Sequence, residues 1–380
     1  MVNQLSISAV GDIAFEGGFA DAPRMDVVSE VQAVLQATDV CIGNLENPLV
    51  VLGIGATANK CTLRGSPDWA GILRGSGLQV VSLANNHMMD YGPEGLFSTM
   101  TALEKAGIQY VGAGADKAAA NKPIFIEKKG IRLGILGRTG VIVSSPCYAE
   151  AGRPGVAFLN IDEANEGIRE CKAQSNITII VLHWGVEEYS YPSPRQLSIA
   201  RELISAGADI ILGHHPHVLQ GVEFIKNGIV AYSLGNFLFD DIEWCFVGKE
   251  GDRQERMVRL SEDNRKGGIL KVTLSNQGVD SYEFIPTYIE PGGTVKIETA
   301  LERQQEFTRL CSRLHWPAYS ALWRLYSLRQ EWKLRLKPMT IGRLKWANLK
   351  KARPKHFREF WEGLRRSGKI TSEKSTNPYE

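Results

Sequence analysis

Three histidines fall within four residues at His214-His215-Pro216-His217, directly after the apolar run 209–212 and Gly213. A buried strand that runs into a glycine and then delivers imidazoles is how an open α/β sheet presents its chemistry, at the carboxyl end of a strand. His215 and His217 lie two apart on a turn stiffened by Pro216, so both rings can face one ion. A polar loop whose histidines merely cap the strand fits the same four residues. His-x-His is short and common, so the turn alone does not decide between a metal ligand pair and a cap.

Four other apolar runs end the same way. Residues 5–10 lead into Gly11-Asp12, 39–42 into Gly43-Asn44-Leu45-Glu46, 78–83 into Ala84-Asn85-Asn86-His87, and 176–182 into His183. Oxygen and imidazole donors at five strand ends, with no cysteine among them, suit manganese, iron or zinc better than calcium or a thiolate-preferring metal. One or two such ions would activate a water and polarise the bond it attacks. A neighbouring imidazole would protonate the leaving group.

The elements that must position these residues are legible from periodicity. Apolar residues at helical spacing predict helices over 26–37, 67–75, 93–105, 162–174 and 194–206, with Pro93 suited to a first turn. Residues 108–111, 269–274 and 281–286 read as further strands. Lys129-Gly130 and Asn227-Gly228 predict hairpins joining 123–127 to 131–136 and 218–225 to 228–232. The glycine-rich segment 51–65 is expected as a loop, and the charged stretch 241–266 as an insertion or mobile loop. Strands alternating with helices, then a switch to hairpins, imply an α/β fold with mixed sheets covered by helices.

Composition sets the outer limits. The chain has 380 residues, 43% hydrophobic and 23% charged, the make-up of a soluble globular protein with one substantial domain plus additions. Six scattered cysteines form no CxxC pair and read as buried free thiols of a reducing compartment. The N-terminus lacks the basic flank of a secretory signal peptide, and no run of about 18 apolar residues suggests a transmembrane helix. A cytoplasmic or peripherally membrane-associated protein is expected.

Charge is unevenly spread. Residues 301–380 hold 19 Lys+Arg against 7 Asp+Glu, a net +12, whereas residues 1–300 hold 25 against 35, a net −10. Five of the eight tryptophans, at 316, 323, 332, 346 and 361, lie in this basic segment. Residues 321–336 read as an amphipathic helix, with Leu322, Leu325, Tyr326, Leu328, Trp332 and Leu336 near one face. Such a helix can pack on the main domain or on another subunit, or it can meet a membrane surface or an anionic polymer; nucleic acid is the least favoured partner. The organisation expected is a domain over 1–290, a basic, Trp-rich helical extension over 291–370 and a disordered tail over 371–380.

Six ordered motifs carry a resemblance: Gly-Asp at 11–12, Gly-Asn-Leu-Glu at 43–46, Ala-Asn-Asn-His-x-x-Asp-x-Gly at 84–92, His-Trp-Gly-x-Glu at 183–187, Gly-His-His-Pro-His-Val-x-Gln at 213–220 and Ser-Leu-Gly-Asn-Phe at 233–237. Over roughly residues 5–290 the chain resembles the CapA family, the capsule-synthesis group linked to bacterial poly-γ-glutamate. That family's fold is in turn similar to the calcineurin-like metallophosphoesterases. The resemblance implies a four-layer α/β/β/α sandwich with its site along one edge, and capsule or exopolymer biosynthesis as the setting. It implies either a metal-dependent hydrolase of phosphoester, amide or ester bonds or a non-catalytic component that binds polymer or a capsule synthase complex. The substrate would be an anionic polymer or a small molecule.

Carried over position by position, the resemblance implies Asp12 and His217 on a first divalent ion and Asn86, His183 and His215 on a second. Glu46 would bridge them and His87 would be the general acid. Asn44, Asp90, Glu187, His214 and Asn236 would orient the ligands, with a plain turn or cap role open for Asp90, Glu187 and Asn236. The sequence departs from the phosphoesterase pattern in two places. Ile13 and Ala14 follow Asp12 where that pattern has a histidine two residues on, and Glu46 stands where an aspartate is usual. The first ion would then be short of a ligand unless His214 or a water supplies it.

Overall fold

The computed structural model describes residues 4–15, 19–51, 62–141, 147–247 and 253–331, with the side chains of 243–247 and 253–256 excepted. Two sheets lie face to face. The first has the order β18 (Val295–Ile297), β17 (Gly278–Ile289), β16 (Lys266–Ser275), β1 (Leu5–Ile13), β2 (Val40–Leu45), β3 (Val80–Ser82), β4 (Gln109–Val111), and β13 (Asn236–Leu238) also pairs with β1. The second runs β11 (Val222–Ile225), β12 (Gly228–Ala231), β10 (Ile210–His214), β9 (Ile177–His183), β7 (Ile131–Thr139), β6 (Ile124–Lys128). Two small ribbons complete the strands, β5 (Ala113–Gly114) with β8 (Gly155–Val156) and β14 (Ile242–Val247) with β15 (Arg253–Val258).

Period-two alternation decides which side chains fill the space between the sheets. Leu5, Ile7 and Ala9 of β1, Val40 and Ile42 of β2, Ile177, Ile179 and Val181 of β9, and Ile210 and Leu212 of β10 form one inter-sheet core. Their sequence neighbours Val10, Cys41 and Val81 face outward onto α1 (Ser29–Gln36), α2 (Trp69–Ser76) and α3 (Gly92–Ala106). On the second sheet, Ile180, Leu182 and Ile211 meet α5 (Ile161–Lys172) and α6 (Pro194–Ala206). The result is the α/β/β/α sandwich, with apolar runs on strands buried on both faces as parallel pairing requires. Helix α6 starts at a reciprocal capping box of Ser193 and Gln196, and Gly207 closes it with φ +121°. The short α4 (Lys117–Asn121) is capped by Asp116.

Several segments differ from expectation. The stretch 241–266 holds the β14–β15 hairpin and the start of β16 rather than an unstructured insertion; Ile242, Trp244, Phe246 and Val247 are residue types that favour strands despite the flanking charges. The first sheet does not stop at residue 290, because β18 pairs antiparallel with β17 from Thr287 to Ile289. Helix α7 (Leu301–Arg313) then lays Phe307 against Phe284, ring centroids 3.6 Å apart, at the margin of the inter-sheet core. Helix α8 (Tyr319–Glu331) packs through Tyr326 of the expected face and through Trp323, and leaves Leu322, Leu325 and Leu328 of that face exposed. The rest of the basic segment, with Trp332, Leu336, Trp346, Trp361 and the tail 371–380, lies outside the described residues. Among the described residues no helix is long and apolar enough to cross a membrane, and Cys41, Cys147, Cys171 and Cys311 are free thiols.

One ion pair joins the sheets away from the site. Asp39, just before β2, accepts from the Ser6 backbone and hydroxyl and from Lys129 Nζ in the β6–β7 turn at 2.8 Å. Burial raises its carboxyl pKa, but Lys129 and Ser6 outweigh this, and the net pKa is lowered. A carboxyl depressed in the folded state adds stability that is present above its unfolded pKa of about 3.9 and is lost as pH falls through the folded value. The acid limb of the stability curve is therefore expected to be shallower in Asp39→Asn, read from urea midpoints between pH 3 and 6; an unchanged limb would exclude this linkage.

Candidate metal centre

The alternation that fills the inter-sheet core does not stop where the apolar residues stop. Continuing by two from Ile42 reaches Asn44, from Val181 reaches His183, and from Leu212 reaches His214, so these polar groups line the mouth of the same inter-sheet space. His214 pairs in register with His183, and Asn44 with Asp12. Asp12 breaks parity with Leu5, Ile7 and Ala9. An irregularity between Ala9 and Asp12 moves the partner offset, from Ala9↔Ile42 to Asp12↔Asn44, and so brings the Asp12 carboxylate to the inner face.

Asp12 is the hub on the first sheet. Its Oδ1 accepts from Asn44 Nδ2 at 2.8 Å and lies 3.1 Å from His214 Nδ1. Its Oδ2 accepts from the His215 backbone at 3.0 Å and lies 3.5 Å from His217 Nδ1. Full burial disfavours its charge, yet His214, then His217 and His183, hold the carboxyl far below the usual carboxylate range. His183 Nε2 lies 2.8 Å from Asn86 Oδ1, and its Nδ1 lies 3.3 Å from Asn44 Nδ2. Burial first, and His215 next, keep the His183 pKa well below its ordinary value; burial also lowers that of His215, against the pull of Glu187. His217 is the opposite case, because Glu46, Asp12 and Glu187 override burial and push it well above.

Glu46 sits among these groups without a donor. Both of its oxygens are buried and neither has a hydrogen-bond partner; the nearest ring nitrogens are His217 Nε2 at 3.4 Å and His183 Nε2 at 3.7 Å, on its Oε1. His215 Nδ1 and His214 Nε2 are likewise buried without a hydrogen bond, while His214 Nδ1 faces Asp12 Oδ1. Buried polar atoms left without a hydrogen bond cost about 1–3 kcal/mol each, and here several of them gather at the mouth of the inter-sheet space. The donors form three groups whose ligand atoms lie within 4.8 Å of one another: Asp12 with Glu46 and His217, Glu46 with His183 and His215, and Glu187 with His215 and His217. Carboxylate oxygens and imidazole nitrogens fit a divalent transition metal.

Local backbone holds the turns. His215 has φ 95° and His217 φ 56°, a region that favours glycine, and such conformations persist where the surroundings over-determine them. His217 Nδ1 lies 2.9 Å from Asn236 Oδ1, and Asn236 in turn donates to the Asn264 carbonyl at 3.0 Å. Asn264 donates to the His217 carbonyl at 3.1 Å and to Glu188 Oε1 at 2.7 Å. The sequence reading assigned Asn264 no role, since it lies in the stretch expected to be mobile. Asn85 was also without a role: its Oδ1 accepts from the His87 and Met88 backbones and its Nδ2 donates to the Leu45 carbonyl at 2.8 Å, fixing the turn that carries Asn86. Two asparagines ahead of a histidine are the signal that could have found it.

His87 and Asp90 stand apart from the three groups. His87 Nδ1 is 2.8 Å from Asp90 Oδ2, which also accepts from the Leu63 backbone, so the ring is held by a buried carboxylate that is itself fixed. Ile13 and Ala14, where the phosphoesterase pattern has its histidine, are buried apolar residues.

Residues 6–241 match the family model described as bacterial capsule synthesis protein PGA_cap. The chain belongs to that family. It is similar to the capsule biosynthesis protein CapA of Bacillus anthracis, at 30% identity over 75% of this chain and 66% of that protein, just under two thirds of its length. It is also similar to the PGA biosynthesis protein CapA of Bacillus subtilis (strain 168), at 35% identity over 75% of this chain and 74% of that one. A probable polyglutamine synthesis accessory protein of Mycobacterium tuberculosis matches at 32% identity over 63% of this chain and 66% of that one. Among solved structures, the Haemophilus influenzae NAD nucleotidase has a TM-score of 0.43 at 16% identity, covering 81% of this chain and 55% of that one. This PGA_cap member thus carries its oxygen and nitrogen donors on the family-matched segment, with Asn264 and helices α7 and α8 beyond it.

Proposed function

We propose that this PGA_cap protein is a metal-dependent hydrolase of capsule or poly-γ-glutamate biosynthesis, cleaving a phosphoester, amide or ester bond in an anionic polymer or small molecule. The observation that carries the reading is Glu46, a buried carboxylate without a hydrogen bond that groups with Asp12 and His217 on one side and with His183 and His215 on the other. Asp12 and His217 would hold one manganese, iron or zinc ion, and Asn86, His183 and His215 the other, with Glu46 shared. Bound there, the ions supply Lewis-acid activation of water and polarisation of the scissile bond. Asn44 and Asn236 keep Asp12 and His217 in place through their amide contacts. His87, held through Nδ1 by Asp90, gives its proton to the leaving group.

The setting in polymer synthesis rests on the relatives, and a synthase complex is the partner it implies. The basic segment after residue 300 would meet the polyanion or the anionic surface at which it is assembled. A second reading, a polymer-binding assembly component without turnover, draws on Ile13 and Ala14, which leave the Asp12 side one donor short of the phosphoesterase set.

The test is metal analysis of the purified protein, followed by assay on generic phosphoesters and γ-glutamyl amides with and without added manganese. Metal-dependent turnover is expected, falling about 10²–10⁴-fold in His87→Ala and to background in His215→Ala, while both variants keep their fold by circular dichroism. Equal turnover in wild type and both variants overturns the hydrolase reading; stoichiometric metal with no turnover on any substrate favours the assembly component.

A further inference from the structure

We infer that Glu187 is a direct ligand of the metal centre, reaching both ions from the exposed side, and so supplies the donor that Ile13 and Ala14 do not. The inference rests on the metal reading above and deepens it. Glu187 belongs to a group of three whose ligand atoms lie within 4.8 Å of one another, and its two partners come from different sides of the centre. His217 otherwise groups with Asp12 and Glu46, and His215 with Glu46 and His183. Glu46, buried, and Glu187, exposed, are therefore the two carboxylates that each reach a donor of both sets. His215 is 5% exposed and its Nδ1 has no hydrogen-bond partner, so a nitrogen of this group stands ready for a ligand.

The chain builds this placement deliberately. Gly185 and Glu188 take φ 88° and 64°, turning the segment after β9 back toward the histidine turn, and the Glu188 backbone donates to the Pro216 carbonyl at 2.9 Å. Pro216 is the residue between His215 and His217, so the two loops are tied at the point where their donors meet. Farther along, Ser190 donates to Tyr326 Oη at 2.8 Å, Trp323 Nε1 to the Tyr191 carbonyl at 3.3 Å, Tyr319 Oη to the Pro192 carbonyl at 2.7 Å, and Gln220 Nε2 to the Tyr189 carbonyl at 2.6 Å. Helix α8, beyond the family-matched segment, thereby fixes the position of a metal ligand.

Isothermal titration of manganese and of zinc into the metal-free full chain, run for wild type, Glu187→Gln, Glu187→Asp and Glu46→Gln, tests this. Wild type is expected to bind up to two equivalents, and Glu187→Gln to weaken at least one of them by more than about a hundredfold, beyond the roughly 10–100-fold that losing a merely orienting partner costs, with Glu187→Asp recovering part of the loss. Thermal melts of the four metal-free proteins check that the exposed position leaves folding unchanged. If wild type binds and Glu187→Gln binds identically, Glu187 is not a ligand while the metal centre stands. If wild type binds neither ion, the centre itself is refuted and this inference with it.

Discussion

Glu46→Gln is expected to abolish the binding of both metal ions and, with it, at least about a thousandfold of turnover, corresponding to several kcal/mol of transition-state stabilisation. Glutamine keeps the volume and removes the carboxylate shared by the Asp12–His217 and His183–His215 groups. The change is read without any substrate. A cation that binds the folded chain alone stabilises it by about 2.7 kcal/mol at a hundredfold excess over its dissociation constant, raising the wild-type melting temperature by several degrees. The variant should show no rise. The metal-free variant loses the Glu46 Oε1–His217 Nε2 ion pair at 3.4 Å, so its own metal-free melt is the baseline from which any metal-induced rise is read. A variant that melts lower without metal yet still gains stability on adding manganese would mean that Glu46 is structural and that the ions, if any, sit elsewhere.

Much of this centre follows from simple alternation, and the places where alternation fails are instructive. Residues 40, 42 and 44, 177 to 183 by twos, and 210, 212 and 214 run from apolar to polar along one face of their strands, so a reader of the sequence can place Asn44, His183 and His214 together at the end of a buried run. The same logic assigns Asp12 to the wrong face, since 5, 7 and 9 point inward and 12 does not share their parity. Only the irregularity in pairing between Ala9 and Asp12 restores it, and bulges leave no reliable mark in sequence. The boundaries moved for the same reason: Asp12 and Asn44 lie within β1 and β2 rather than just past them, because the ladder continues through polar residues as readily as apolar ones.

Longer-range placements were less legible. Asn264 is tied to His217, Asn236 and Glu188 by a turn in which it bonds Ser261, and the charges around it read as a loop. The amphipathic spacing of the basic segment groups Leu322, Leu325, Tyr326 and Leu328 near one face and leaves its partner open; of these Tyr326 packs, together with Tyr319 and Trp323, while the leucines stay exposed. Helical spacing shows that a face exists; which face is covered depends on the tyrosines at 189 and 191 offered by a loop more than a hundred residues away. The four-layer arrangement, by contrast, needed no such distant information, since double-sided burial of β9 and β10 follows from their nearly unbroken apolar runs.

Gly11→Ala is expected to cost about 3 kcal/mol or more and to destroy the metal centre together with the fold around it. A Cβ at residue 11 would lie 2.1 Å from the Gly235 carbonyl oxygen, 2.8 Å from its carbon and 3.0 Å from the Leu234 oxygen, all backbone atoms that no rotamer can move. Nor can β13 withdraw, because Gly235, at φ +67°, is itself pressed on the far side by the Lys266 carbonyl, 2.5 Å from where its own Cβ would stand. The alanine must therefore drive β1 and β13 apart one residue before the Asp12–Asn236 register pair, breaking the bond from the Asp12 amide to Gly235 at 2.9 Å. Asn236 holds His217, so the displacement reaches both Asp12 and His217, the residues proposed for the first ion. Gly71→Ala on the exposed side of α2 is the matched control, since a Cβ there meets nothing within 4 Å and helix propensity predicts a gain of about 0.5–1 kcal/mol. Urea midpoints of the two variants should move in opposite directions, and manganese in excess should not rescue Gly11→Ala; equal midpoints would show that β1 and β13 have slack that the close approach of their backbones denies.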